Sequence, residues 1–311
     1  MFALRGIAVS LDCFMLLYCL LSVLVATAWP PLKPLYVAQQ SVAAILFALR
    51  ILPLLASVII TFALVVPSFL LLEPRPINEG IGAIPLALGV CGLLLIACGF
   101  FRAIAAQIRT TRLVTHWLEG ARPPKANANS TVTFQSRRET PPLIVVGFRN
   151  PRVLVSESTA ALLTHDELRM ALKHELEHMK SRDNLKRLIL VFCPFPGMTK
   201  LESAWSQAAE LAADDAAVSD QRDALDLAAA LVKLSRLVPV KAPPVCTGFV
   251  AGSVSERVAR LLDWDEWSNS RRVRVRTWFV IPFAANASLL VTIAYRPVLA
   301  LTHEVTDWLV R

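Results

Sequence analysis

The sequence predicts a mainly α-helical membrane protein, with four transmembrane helices and a cytosolic α+β domain inserted between the third and the fourth. Two observations predict this. Hydrophobic residues make up 55% of the chain and charged residues only 18%, an imbalance unusual for a water-soluble globule. The apolar excess falls into long runs within the first hundred residues and one more near the C-terminus, with a basic-flanked polar stretch between them. The chain therefore divides into a three-span region at 1–101, a soluble domain at 102–276, and a fourth span with a short external tail at 277–311.

Residues 6–28 are apolar except for Asp12 and long enough to cross a bilayer core. The run is too long for a signal peptide, and further spans follow it. Asp12 reads either as a membrane-buried carboxylate with a partner or as an interfacial group, and its closeness to the N-terminus favours the interface. Trp29-Pro30-Pro31-Leu32-Lys33-Pro34 is a break at a membrane edge. The second span is placed at 51–72, behind an amphiphilic lead-in from Gln39 to Arg50, with Pro53 and Pro67 bending it near its ends. Glu73 to Gly80 is a short polar turn. The third span is placed at 81–101, where Gly82, Gly89, Gly92 and Gly99 allow close helix packing.

Charge then sets the topology. Arg102, Arg109, Arg112, Arg122 and Lys125 follow the third span, and Arg271, Arg272, Arg274 and Arg276 precede the last apolar run at 278–295. Basic residues beside spans stay on the cytoplasmic side, so 102–276 is placed in the cytosol and the N-terminus outside. Arg5 opposes this weakly. Because the basic clusters adjoin spans, membrane lipids are their expected partners and nucleic acid is not.

Within the soluble part, 103–118 reads as a helix leaving the membrane, and Thr131–Gln135, Leu143–Phe148 and Arg152–Val155 read as strands. Leu188 to Met198 is very apolar but too short to cross a bilayer. It is either buried core or a membrane-contacting segment, and tethering of the domain at both ends favours contact. Asp223 to Leu237 and Val254 to Trp264 read as helices, with a Pro-containing loop at Val238 to Gly252. Of six cysteines, four lie in spans, and no spacing suggests a disulfide framework or a metal site.

The chemistry sits in Leu172-Lys173-His174-Glu175-Leu176-Glu177-His178, a His-Glu-x-x-His run. On a helix, residues four apart share a face, so His174 and His178 can offer two imidazole nitrogens to one Zn²⁺, with Glu175 in reach of a metal-activated water. Leu168, Met170, Ala171, Leu172, Leu176 and Met179 give the helix an apolar side, and Thr164-His165-Asp166-Glu167 forms a capping-box signature at its start. Glu177 stands where such helices usually carry an uncharged residue. A zinc site needs a third protein ligand. Glu210 in an Ala-rich helical stretch is the candidate, and Asp214, one turn on, is placed to bond the far nitrogen of a ligand histidine. The alternative is two carboxylates on a solvated helix face, which the preceding histidine helix disfavours.

The run Val146-Gly147-Phe148-Arg149-Asn150-Pro151-Arg152-Val153-Leu154-Val155-Ser156, the His174-Glu175-x-x-His178-x-x-x-x-Asp183-Asn184 motif and Glu210-x-x-x-Asp214 together resemble the integral-membrane gluzincin metallopeptidases. The type most similar is the beta-lactam-sensing BlaR/MecR antirepressor-receptor group, and the HtpX and prenyl-protease group is related. Glu256-Arg257-Val258-Ala259-Arg260-Leu261-Leu262 is similar to a segment that follows the zinc site in this family. The resemblance implies a zincin-like fold, one Zn²⁺ per chain, Asp183 as an orienting hydrogen-bond acceptor, a bacterial inner (cytoplasmic) membrane location, and an extended substrate added to an exposed strand edge of the small sheet.

Glu175 is then the expected general base, taking a proton from the zinc-activated water and passing it to the leaving amine. Tyr18, Tyr36 and Tyr295 all lie in or near spans, so a second oxyanion donor must be a cytosolic Arg or His. Two functions follow. One is a zinc-dependent endopeptidase acting on a cytosolic or membrane-adjacent protein or peptide, in regulation, signalling or quality control. The other is a signal transducer whose zinc domain cleaves only one regulator or itself, with a sensor or repressor as partner. The receptors it resembles carry a large external sensor after the last span, whereas this sequence ends at Arg311, so a partner or the membrane is expected to supply any signal.

Overall fold

The structure, a computed structural model, describes residues 2–29, 38–74, 82–119, 133–136, 141–147, 151–193, 195, 197–237, 246–248, 253–264 and 295–306. Most of the expected fourth span, 277–294, lies outside the described residues, as do the basic cluster at 271–276 and most of the loop at 238–252.

Among the described residues, three helices are long and apolar enough to cross a membrane. The first is α1 (Phe2–Ala28). The second runs from Gln39 to Leu72 as α2 (Gln39–Ile60), a π-helical turn (Thr61–Val65) and α3 (Val66–Leu72). The third is α4 (Ala83–Leu118). The amphiphilic lead-in to span two is thus continuous with the span. Proline explains the π turn. Pro67 has no N–H for the carbonyl four residues back and its ring crowds that group, so the local ladder must readjust. The released carbonyl, that of Ala63, instead accepts from the Tyr295 hydroxyl at 3.0 Å.

Asp12 is fully buried, with Gly89 of α4 against its side chain. A Cβ placed on Gly89 would stand 3.0 Å from Asp12 Oδ1, and one on Gly92 would stand 3.0 Å from the Leu11 carbonyl. The absent side chains at these two glycines are what let α1 and α4 approach so closely. Near the start of α1, Arg5 Nη1 pairs with Glu73 Oε1 at 3.1 Å, and His303 Nε2 stands 3.8 Å from Glu73 Oε2. The start of α1 and the end of α3 therefore share a face of the membrane region. Residues 295–306, expected as a tail, are helical and run beside span two from Ala63 to Glu73.

At 1.5 Å per residue, the 36 residues of α4 extend about 54 Å, well beyond an apolar core of roughly 30 Å. Its last turns hold the soluble domain. Trp117 is buried against Ile144, Val146 and Leu154 on one face of a small sheet. The strands are β1 (Thr133–Ser136), β2 (Leu143–Val146), β3 (Arg152–Ser156) and β4 (Thr247–Gly248), in the order β1-β3-β2-β4. β1 is parallel to β3, while β2 is antiparallel to both β3 and β4. β4 was not foreseen: two residues between Pro- and Gly-containing stretches carry no alternation to read.

The other sheet face, Leu143, Val145, Val153 and Val155, meets the soluble core. After α5 (Glu157–Leu162) come α6 (His165–Lys180), α7 (Asp183–Phe192), α8 (Thr199–Ala217), α9 (Gln221–Ser235) and α10 (Val254–Leu262). Met170 and Ala171 of α6 pack with Leu227 and Leu231 of α9 and Leu261 of α10 in this core. The apolar segment from Leu188 forms the end of α7, which rests on α4 and α2. α8 lies along α2, with Trp205, Ala208 and Ala209 packed against Ala43, Phe47 and Ile51. The elements from β2 to α10 are therefore fastened directly to the long apolar helices.

Candidate metal centre and active site

Helix α6 starts where its sequence says it should. Thr164 Oγ1 accepts from the Glu167 N–H at 3.3 Å, and Glu167 Oε2 accepts from the Thr164 N–H at 2.8 Å, a complete capping box. Lys233 of α9 donates to the same carboxylate at 2.8 Å, which ties the two helices together. Glu177 is half-buried and pairs with Lys180 on the outer side of α6, which accounts for a charge at that position.

His174, Glu175 and His178 are turned inward and are essentially buried. Glu210 and Asp214, on the facing helix α8, are equally buried. The two Nε2 atoms of His174 and His178 stand 3.1 Å apart, and Glu210 Oε2 lies 3.5 Å from the first and 3.6 Å from the second. Behind them, His174 Nδ1 meets Asp214 Oδ1 at 2.9 Å and His178 Nδ1 meets Asp183 Oδ2 at 2.7 Å. An ionised carboxylate can only accept, so each Nδ1 carries the hydrogen and each Nε2 presents its lone pair forward.

Asp183 reaches His178 because the chain reverses between α6 and α7. Arg182 takes up φ 55°, in the left-handed region, and sets Asp183 at the first turn of α7. Asn184 beside it donates to the carbonyls of Val145 and Gly147, both at 3.0 Å, which fixes the end of β2 next to the site.

The residues fit a divalent metal. Zn–N distances of about 2.0–2.1 Å at tetrahedral angles put ligand atoms about 3.3 Å apart, in line with the separations of the three atoms here. Charge agrees. Three ionised carboxylates, Asp183, Glu210 and Asp214, face two cations, Arg257 and Lys186, so one negative charge is left over before Glu175 is considered. Burial opposes charge on the His178 imidazole, but Glu210 and Asp183 outweigh it and raise it to about 10. The site thus favours positive charge at the point where the nitrogens meet. Among the described residues, His174, His178 and Glu210 form a group that could hold a metal ion.

Glu175 stands apart. Neither of its oxygens has a hydrogen-bond partner among the described residues. Burial pushes its carboxyl up to about 7, against the pull of His178 and His174. Asp214 is held down at about 2, because Arg257 and His174 outweigh its burial.

Arg257 is the functional residue that the sequence did not single out. Its Nε and Nη2 donate to the two Asp214 oxygens, both at 2.7 Å, and Nη1 donates to Glu210 Oε2 at 3.1 Å. Nη2 also lies 3.5 Å from His174 Nε2. Its sequence signals were its place in the segment from Glu256 to Leu262 that is similar to the family's and its position one turn before Leu261, on the buried face of α10. β2 is paired with β4 at Ile144 and Val145, which makes it an interior strand of the sheet.

The profile described as BlaR1 peptidase M56 matches residues 80–261, more than half of the chain, from before α4 into α10. The chain belongs to the BlaR1 peptidase M56 family. This makes it a membrane metallopeptidase of the BlaR1 type, acting on protein or peptide, and its three apolar helices agree with that placement. No curated protein matches the chain significantly. Within the BlaR1 peptidase M56 match fall His174, Glu175, His178, Glu210, Asp214, Asp183 and Arg257.

Proposed function

We propose that this protein is a membrane-embedded zinc endopeptidase that cuts a cytosolic or membrane-adjacent protein as a step in regulation. The observation that carries this reading is the convergence of His174 Nε2, His178 Nε2 and Glu210 Oε2 beside an unpartnered, buried Glu175. His174, His178 and Glu210 hold the ion. Zinc, when bound, supplies Lewis-acid activation of water and of the scissile carbonyl. Glu175 receives the proton that the attacking water gives up and delivers it to the leaving nitrogen, a task suited to a carboxyl near neutrality. Asp183 and Asp214 fix the tautomer and direction of the two imidazoles. Arg257 holds Glu210 and Asp214 in place and sets a buried positive charge 3.5 Å from His174 Nε2. The basic residues beside its spans support a cytosolic domain with the N-terminus outside, and the family likeness supports a bacterial inner membrane.

A signal-transducing form of this reading, in which cleavage is confined to one regulator or to the protein itself, is favoured by one contact. Arg50 of span two pairs with Glu202 of α8 at 2.8 Å, so a membrane helix is fastened to the helix that carries Glu210. A sensor or repressor would then be the partner.

The test is zinc content and proteolysis of detergent-solubilised protein, wild type beside Glu175→Ala and His178→Ala. One zinc per chain, kept in Glu175→Ala and lost in His178→Ala, with cleavage in wild type only, is expected. Zinc without cleavage of any general substrate selects the transducing form. Absence of zinc after metal-replete purification overturns the proposal.

A further inference from the structure

Away from the metal centre, and among the described residues, a cavity of about 710 Å³ opens where the soluble domain meets the spans. Leu94, Leu95 and Cys98 of α4 line one wall, and Val191 and Phe195 line another. Three guanidinium groups face it, those of Arg50, Arg102 and Arg187, against a single carboxylate, Glu202.

The three arginines differ in how far they are satisfied. Arg50 is buried and fully engaged, donating to Glu202 and to the Cys193 carbonyl. Arg187 lies over the Trp205 ring with its Cζ 5.4 Å from the centroid, and its Nη2 donates to Ser206 Oγ at 3.1 Å. Its Nε is buried with no hydrogen-bond partner among the described residues. Arg102 is exposed and makes no ion pair among the described residues. Thr199, the first residue of α8, lines the same cavity, and no side chain caps that helix start. The backbone N–H groups of an uncapped first turn add partial positive charge. Arg102 follows directly on the apolar part of α4, at the level of a bilayer headgroup. A cavity with two surplus positive charges at one end and leucines of a membrane span along its wall is complementary to a phosphate carrying acyl chains.

We propose that this cavity binds the phosphate headgroup of one anionic membrane lipid, with Arg102 and Arg187 as its contacts and an acyl chain lying along Leu94 and Leu95. This rests on the reading that α4 crosses the membrane with Arg102 at its cytosolic edge. The site bears on the peptidase. Glu202 and Glu210 are eight residues apart on one face of α8, about 12 Å along its axis. A lipid held at Arg102 and Arg187 braces the start of the helix whose later turn carries Glu210, because Arg187 itself contacts Trp205 and Ser206 of α8.

The experiment uses the full chain, purified in a neutral detergent. It is titrated with phosphatidylglycerol, phosphatidylcholine or inorganic phosphate while thermal unfolding and lipid retention in native mass spectrometry are followed. Phosphatidylglycerol is expected to be retained at about one per chain and to raise the unfolding midpoint, with phosphatidylcholine and phosphate doing neither. Arg102→Gln with Arg187→Gln should weaken retention about tenfold or more, while Arg109→Gln with Arg112→Gln leaves it unchanged. Arg102→Gln alone, at an exposed side chain, gives a smaller loss and covers the case in which the double variant folds poorly. Equal retention of both lipids, or retention indifferent to the arginine substitutions, overturns the proposal. Equal protection by inorganic phosphate overturns the lipid assignment. Zinc content is read on the same samples, so failure here with one zinc per chain leaves the peptidase reading standing. Recovery of the chain in water without detergent would remove the membrane reading itself.

Discussion

Removing the carboxylate behind His178 should loosen the metal without unfolding the domain. His178 Nδ1 and Asp183 Oδ2 are 2.7 Å apart and both side chains are almost wholly out of solvent, so water cannot take over the bond. Carboxylates placed behind metal-binding histidines are worth about 10–100-fold in affinity, or roughly 1.4–2.7 kcal/mol. Asp183 also accepts from Lys186 at 2.9 Å, which spends part of its charge and points to the lower half of that range. Asp183→Asn keeps an oxygen acceptor and loses the charge, so about a tenfold loss is expected. Asp183→Ala loses both and should approach the upper limit. The assay is competition for zinc against a chromogenic chelator in detergent, with the unfolding midpoint of the metal-stripped protein as a control on folding. A zinc affinity for Asp183→Asn within twofold of wild type, with the fold intact, would refute the assignment of Asp183 to the metal centre.

Other outcomes follow from the same coordinates. Thr164→Ala should cost about 1 kcal/mol in chemical denaturation, the usual worth of a helix cap, without changing zinc stoichiometry. Burial pushes the Glu167 carboxyl up, but the bonds from Lys233 and Thr164 win and hold it below its ordinary value of 4.5. Because the folded value is depressed, this stabilisation is present above that ordinary value and is lost as pH falls through the folded one. Stability of Glu167→Gln should therefore fall beneath wild type near neutrality and converge with it only at acid pH, below the depressed folded value. Arg257→Met leaves Glu210 and Asp214 buried without their cation, a loss of about 3–5 kcal/mol in the metal-stripped protein that zinc should partly restore. An equal loss with and without zinc would count against a shared electrostatic centre. Gly89→Leu should open the α1–α4 seam, seen as faster proteolysis of the spans, since the Asp12 side chain and the Ala8 backbone already stand at contact distance.

Much of this protein is written locally. The three apolar helices, the capping box at Thr164, the shared face of His174 and His178 and the one-turn spacing of Glu210 and Asp214 each depend on residues a few positions apart. Helical period and hydrophobic transfer act over that range, so sequence alone determines them. What joins those pieces is set by contacts between residues far apart. Arg257 stands 43 positions from Asp214, and no local pattern distinguishes it from Arg260 one turn on, which pairs with Asp215 instead. The pairing of β4 with β2, the burial of Asp12 beside Gly89 and the rescue of the Ala63 carbonyl by Tyr295 have the same origin. Each is a polar group whose partner is chosen by how helices and strands come to lie together. A buried polar group must find some partner, and only the tertiary structure decides which one.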